Sequence, residues 1–188
     1  MPTRIEILER GTPLTTALPG AQFASWHARV IAAPPPATWA ALQSLRWSDL
    51  RLTLPLMAAR GLGRAQDTHR RLTEPPSPMA PLEQDPPHAL SSGMIGRPWT
   101  PRPVPGPAVA SLAELAAFDE PGWLKYGMEV VLSPLPGGRT FLETATVCEA
   151  TDEAARRRFA LYWTAIRTFS GAIRRDDLAA VDRETRRA

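Results

Sequence analysis

Cysteine, lysine and histidine are nearly missing from this chain of 188 residues, and each scarcity excludes something. Cys148 stands alone, so the chain holds no internal disulfide framework and no cysteine-based zinc site, which suits a reducing cytoplasm. His27, His69 and His88 lie far apart without HxH or HExxH spacing, so neither a metal site nor a cofactor is expected. No GxSxG marks a hydrolase nucleophile, and Gly61-Leu62-Gly63-Arg64 lacks the lysine of a phosphate loop and reads as a helix stop. Long apolar runs are missing too. No segment approaches ~18 uninterrupted apolar residues, and the first twenty are broken by charges and prolines, so neither a membrane span nor a secretion signal is expected.

Lysine occurs once, at Lys125, and arginine supplies the rest of the basic residues for a net charge of +3. The arginines are scattered among acids rather than gathered into a stripe with stacking aromatics, so no nucleic-acid partner is expected.

What is present is an ordinary globular balance, 44% hydrophobic and 22% charged, in a length near one domain. The 21 prolines are the anomaly. They concentrate between Glu74 and Pro107 and mark a proline-rich excursion there. Ahead of the domain, taken as residues 23–188, residues 1–22 read as a mobile arm or short edge strand.

The strongest pattern is the last. After a capping Thr151 or Asp152, Ala155, Phe159, Tyr162, Ile166, Phe169 and Ile173 recur at alternating spacings of four and three, one apolar stripe on one long helix. Before it, residues 124–134 alternate with Tyr126, Met128, Val130 and Leu132 on one face. Pro136, Gly137 and Gly138 turn the chain, and residues 139–149 return antiparallel. A first strand is expected over residues 22–32, with Phe23, Ser25, His27, Arg29 and Ile31 on one face. Proline at a helix start then opens a short helix with Trp39, Leu42 and Leu45. A second helix, capped by Ser48 or Asp49, carries Leu50, Leu54, Met57 and Ala58 to a stop at Gly61 or Gly63. Residues 79–83 suit a short edge strand, residues 88–98 a further strand, and Ser111 caps another short helix.

The element order, with the phrases PPPATWAAL, GMIGRPW, FDEPG and RRRFALYWTAIRTFSGAIRR, resembles the START-like superfamily (SRPBCC, with the polyketide cyclases), and within it an uncharacterised bacterial branch. The resemblance covers roughly residues 23–187. It implies an α+β helix-grip fold, a curved antiparallel sheet wrapped around the long C-terminal helix. Between them it implies a cavity for a lipid, polyketide or aromatic metabolite, and it carries over no catalytic set.

Candidate ligand contacts follow. Tyr126 and Met128 share a strand face, and Phe159, Tyr162, Trp163 and Ile166 belong to the helix that faces it. Arg97 and Trp99 flank Pro98 at a strand end, where the arginine either holds a ligand carboxylate or bonds local carbonyls and stacks on the indole. Glu129 and Glu143 lie on adjacent strands. Facing the cavity they would form an acid/base pair; facing solvent they would pair with Lys125 or Arg139. Three functions remain open: a binding module, an enzyme of cyclase or dehydratase type, and an interaction protein that docks through the proline-rich segment.

Overall fold

The computed structural model describes residues 3–59, 68–75, 77 and 80–187, with backbone alone for residues 4 and 57–59. Six antiparallel strands form one sheet in the order β1-β6-β5-β3-β2, with β4 paired to β3. In chain order they are β1 (Phe23–Ile31), β2 (Pro81–Asp85), β3 (Ala89–Arg97), β4 (Val104–Pro105), β5 (Leu124–Leu135) and β6 (Arg139–Ala150). The proline-rich segment is therefore less irregular than its composition suggests, since it supplies three of the six strands. Its prolines fall where a missing N–H is tolerated: Pro81 begins β2 at the sheet edge, and Pro105 ends the two-residue β4. Met79, expected to begin the edge strand, and the glycines at 61 and 63 lie outside the described residues.

Helix α6 (Glu153–Thr185) is one rod of 33 residues, opened by Asp152, whose carboxylate accepts from the Ala155 amide at 2.6 Å. It lies against the sheet face that carries Phe23, His27 and Arg29, with their register partners Cys148, Thr144 and Leu142 beside them. Two apolar clusters dock it. At its N-terminal end Ala155 and Phe159 pack with Leu124, Cys148 and Ala150. At its C-terminal end Leu178 and Val181 pack with Ile31, Val130, Leu142 and Leu42, the last from α3 (Pro35–Ser44).

Between these ends the expected stripe fails. Ile166 and Ile173 are half-buried, and Phe169 is 51% exposed. Alternating spacings of four and three average 3.5 residues, so on a straight helix of 3.6 the stripe rotates by about 20° per heptad. The twisting sheet beneath also turns. By Gly171 a different side of the helix meets β1.

The N-terminal residues are neither arm nor edge strand. They form α1 (Arg4–Leu8), with a capping box between Thr3 and Glu6, and α2 (Pro13–Ala17), capped by Thr12 with Pro13 in its first turn. With α5 (Leu112–Ala117) these helices cover the sheet face opposite α6, where Leu14, Leu18 and Leu115 are fully buried. Gly93 and Gly127 face each other across β3 and β5 and make a bare spot on that face. A Cβ on Gly127 would stand 2.7 Å from Leu14, and one on Gly93 2.6 Å from Leu115, so the helices approach because side chains are missing there.

The second short helix, α4 (Thr53–Ala59), begins later than its sequence signals indicate. Asp49 instead closes a 3-10 turn, Trp47–Asp49, by accepting from the Arg46 amide at 2.8 Å. The cap of α4 comes from α6: Asp176 accepts from the amides of Leu52 and Thr53 and from the Thr53 hydroxyl, at 2.7, 3.1 and 3.2 Å. Pro55 falls in the first turn of α4, where no intrahelical N–H is needed.

Candidate functional site

Alternation along the strands sorts the candidate residues between the two faces of the sheet. Tyr126 and Met128 face α6, opposite Cys148 and Thr146 of β6. Tyr126, Trp99, Phe159, Tyr162 and Trp163 meet in one aromatic cluster with Phe23, whose ring lies 4.8 Å edge-on from Phe159. Burial pushes the Tyr126 hydroxyl up to about 12. Met128 continues the same strand face toward the C-terminal half of α6, while Ile166 is half-buried one helical turn beyond Tyr162.

Arg97, Glu129 and Glu143 are elsewhere. Arg97 donates from Nε to the Gly122 carbonyl at 2.9 Å and lies 4.0 Å over the ring of Trp123, not Trp99. Glu129 and Glu143 face neither the helix side nor open water, because one-residue alternation turns them away from Met128 and Thr144 and the N-terminal helices cover them. They are also not register partners: Glu129 stands opposite Ala145, and Glu143 opposite Val131. Glu129 accepts from the Thr12 hydroxyl at 2.7 Å, and burial raises its pKa. Glu143 takes Arg10 at 2.6 Å and the Trp26 indole N–H at 3.0 Å. Neither pairs with Lys125 or Arg139. Lys125 instead reaches Glu149 at 2.7 Å, and Glu149 also accepts from the Gly20 amide at 2.8 Å. Three glutamates on this face thus tie down the N-terminal segment.

Beneath the middle of α6 lies a polar group that the sequence reading did not select. His27 and Thr144 are cross-strand partners on the helix face, 9% and 3% exposed, and neither His27 Nε2 nor Thr144 Oγ1 has a hydrogen-bond partner. Ser25 Oγ, two residues along β1, is unpartnered as well. Gly171 of α6 makes the close approach possible, since a Cβ there would sit 3.2 Å from the imidazole. From α6, Asp177 adds a carboxyl that is 8% exposed. Arg174 Nη1 forms an ion pair with Asp177 Oδ2 at 3.0 Å, while Oδ1 has no hydrogen-bond partner.

Burial works against charge on both His27 and Asp177. Burial pushes Asp177 up to about 6, with Arg174 working against the rise and Asp176 adding to it. Burial also lowers His27, helped by Arg175 and Arg174, which favours the neutral imidazole. Buried polar atoms are nearly always bonded in native interiors, and each unsatisfied one costs about 1–3 kcal/mol.

Thr144 and Asp177 border, through apolar atoms alone, a cavity of about 10 Å³ walled by Met128, Val130, Leu142 and Val181 among others. The signal for these residues was present in the chain. Arg174-Arg175-Asp176-Asp177 places four charges in the half of the helix that packs deepest, and His27 shares a strand face with Ser25.

Compared with known protein families and with curated proteins, the chain matches no family model and no curated sequence.

Proposed function

We propose that this chain binds a hydrophobic or amphipathic small molecule between the sheet and α6, in a helix-grip arrangement of the START-like kind. One observation carries the reading. On the helix face, Ser25, Thr146, Tyr126 and Met94 are only half-buried and lie in one diagonal band across β1, β6, β5 and β3, with buried residues on both sides of Thr146 and Tyr126 along their strands. A sheet face closed at both ends and relieved in the middle is the shape of a cleft. Opposite it, α6 presents Tyr162, Ile166 and Ile173 at helical spacing, all half-buried.

A neutral fluorophore such as Nile red tests this. Binding to the wild-type protein with a blue-shifted emission, lost in Thr146→Trp while the circular dichroism spectrum is kept, is the expected result. Wild-type protein that leaves the dye dark, and yields no co-purifying small molecule on denaturing extraction and mass spectrometry, sinks the proposal.

A second reading, an enzyme of cyclase or dehydratase type, draws on the buried acid Asp177 of α6. A carboxyl near 6 on α6 suits proton transfer close to neutral pH, and His27, on the sheet face that α6 covers, is held toward its neutral form. Asp177→Asn and His27→Ala would then abolish turnover while Nile red binding persists.

A further inference from the structure

Between Glu153 and Asp176, α6 carries Arg156, Arg157, Arg158, Arg167, Arg174 and Arg175 and no acidic residue. Elsewhere arginine is mixed with acids, and the whole chain has a net charge of only +3. Glu153 takes Arg156 and Arg157 at 2.5 and 2.8 Å, and Asp177 takes Arg174 at 3.0 Å. Arg158, Arg167 and Arg175 are exposed and form no ion pair among the described residues.

The same stretch keeps apolar side chains in water. Leu161 is 80% and Phe169 51% exposed, and with the exposed Ala165 and Thr168 they follow the i, i+4, i+7, i+8 spacing of one helix side. Arg158 lies one turn before Leu161, and Arg175 two turns after Thr168, so both border that side. A lone exposed leucine is ordinary on a protein surface. Two large apolar residues about 12 Å apart along one side, with arginines around them and no acid between, call for a partner that is both apolar and negative.

That pairing narrows the class. A nucleic acid would match the arginines but offers a leucine no apolar layer to enter, and a second copy would set like charges against each other across a two-fold contact. A lipid surface with anionic headgroups answers both features. We propose that the outer side of α6, from Arg158 to Arg175, docks on an anionic bilayer. Leu161 and Phe169 enter the acyl boundary, while Arg158, Arg167 and Arg175 hold headgroups. This goes beyond the cleft reading and does not need it, since the side chains concerned lie on the solvent side of the rod.

The test uses the full chain and vesicles of phosphatidylcholine with or without phosphatidylserine, read by co-sedimentation. Binding is expected to be at least about tenfold tighter on the anionic vesicles and to weaken as salt shortens the Debye length from about 10 to about 3 Å. Leu161→Ser with Phe169→Ser, and separately Arg158→Gln with Arg167→Gln, should each weaken it at least about tenfold with an unchanged circular dichroism spectrum. Val30→Ser with Arg139→Gln, on the sheet face turned away from α6, is the control that binds as the wild type does. Equal binding to both kinds of vesicle, binding to neither, or binding unchanged by either pair of substitutions overturns the proposal. So does a dimer that the two serines dissolve, because a second copy would then cover this side. A failure here leaves the Nile red test of the cleft standing, and a dark Nile red result leaves this docking side standing.

Discussion

Asp176 offers the sharpest test of how the long helix organises the fold. Its carboxylate is 5% exposed, and one oxygen accepts from two amides and a hydroxyl at the start of α4, a segment 124 residues away at its far contact. Arg183 lies 3.8 Å from its other oxygen. A helix cap contributes typically about 1 kcal/mol and at most about 2. Asp176→Ala removes that cap and also strands the amide of Thr53, a residue only 2% exposed, for about another 1–3 kcal/mol. Relief from burying a charge returns part of this, so the net loss is about 3 kcal/mol. In a domain of this size that lowers Tm by about 6–12 °C. Asp176→Asn retains an acceptor and should lose about half as much. Urea unfolding followed by circular dichroism measures both, with an unchanged m-value showing that the native state is still compact. Glu153→Ala, which removes exposed pairs with Arg156 and Arg157, serves as a control that leaves Tm unchanged. If Asp176→Ala costs less than about 1 kcal/mol, or if asparagine is as damaging as alanine, the capping argument is refuted.

Further outcomes follow from the same geometry. Because burial raises Asp177 to about 6, the folded state holds its proton more tightly than the unfolded chain, so this group favours stability below the ordinary aspartate range and loses it as pH rises through about 6. Asp177→Asn should therefore gain on the wild type by about 2 kcal/mol between pH 4 and pH 7.5, read as the difference of two urea series; parallel series would refute the shift. Gly171→Ala and His27→Ala should be non-additive by about 1 kcal/mol, since the added methyl crowds an imidazole that the second change removes, and simple additivity would dismiss the contact. Leu14→Ala should cost about 3 kcal/mol, because the side chain is fully buried over Gly127, whereas a mobile N-terminal arm would tolerate it without loss of stability.

Much of the element order was legible in the residues. Alternation placed β1, β5 and β6, the two glycines after Pro136 placed the hairpin turn, and the cap at residue 152 with its apolar spacing placed α6. Tyr126, Phe159 and Tyr162 sit on periodic apolar faces that the residues announce, but their meeting with Trp163, Trp99 and Phe23 in one aromatic cluster is a through-space relation. Residues 3–22 were misread because short helices of five residues carry little periodicity, and their burial depends on a bare patch at Gly93 and Gly127 that adjacent sequence does not announce. Glu129 and Glu143 were placed with the ligand contacts although strand alternation alone opposes Glu129 to Met128. What covers that side was beyond a local pattern.

By itself the sequence determined the long strands β1, β5 and β6, the hairpin between the last two, helix α6, and which strand side chains share a face, because those follow from backbone periods of two and 3.6 residues acting over short distances. Tertiary structure alone decided which face each layer covers, that Asp176 caps a distant helix, and that His27 and Thr144 lie side by side with His27 under Gly171. These are through-space relations, set by the twist of the sheet under a straight helix and by the absence of a side chain at Gly171.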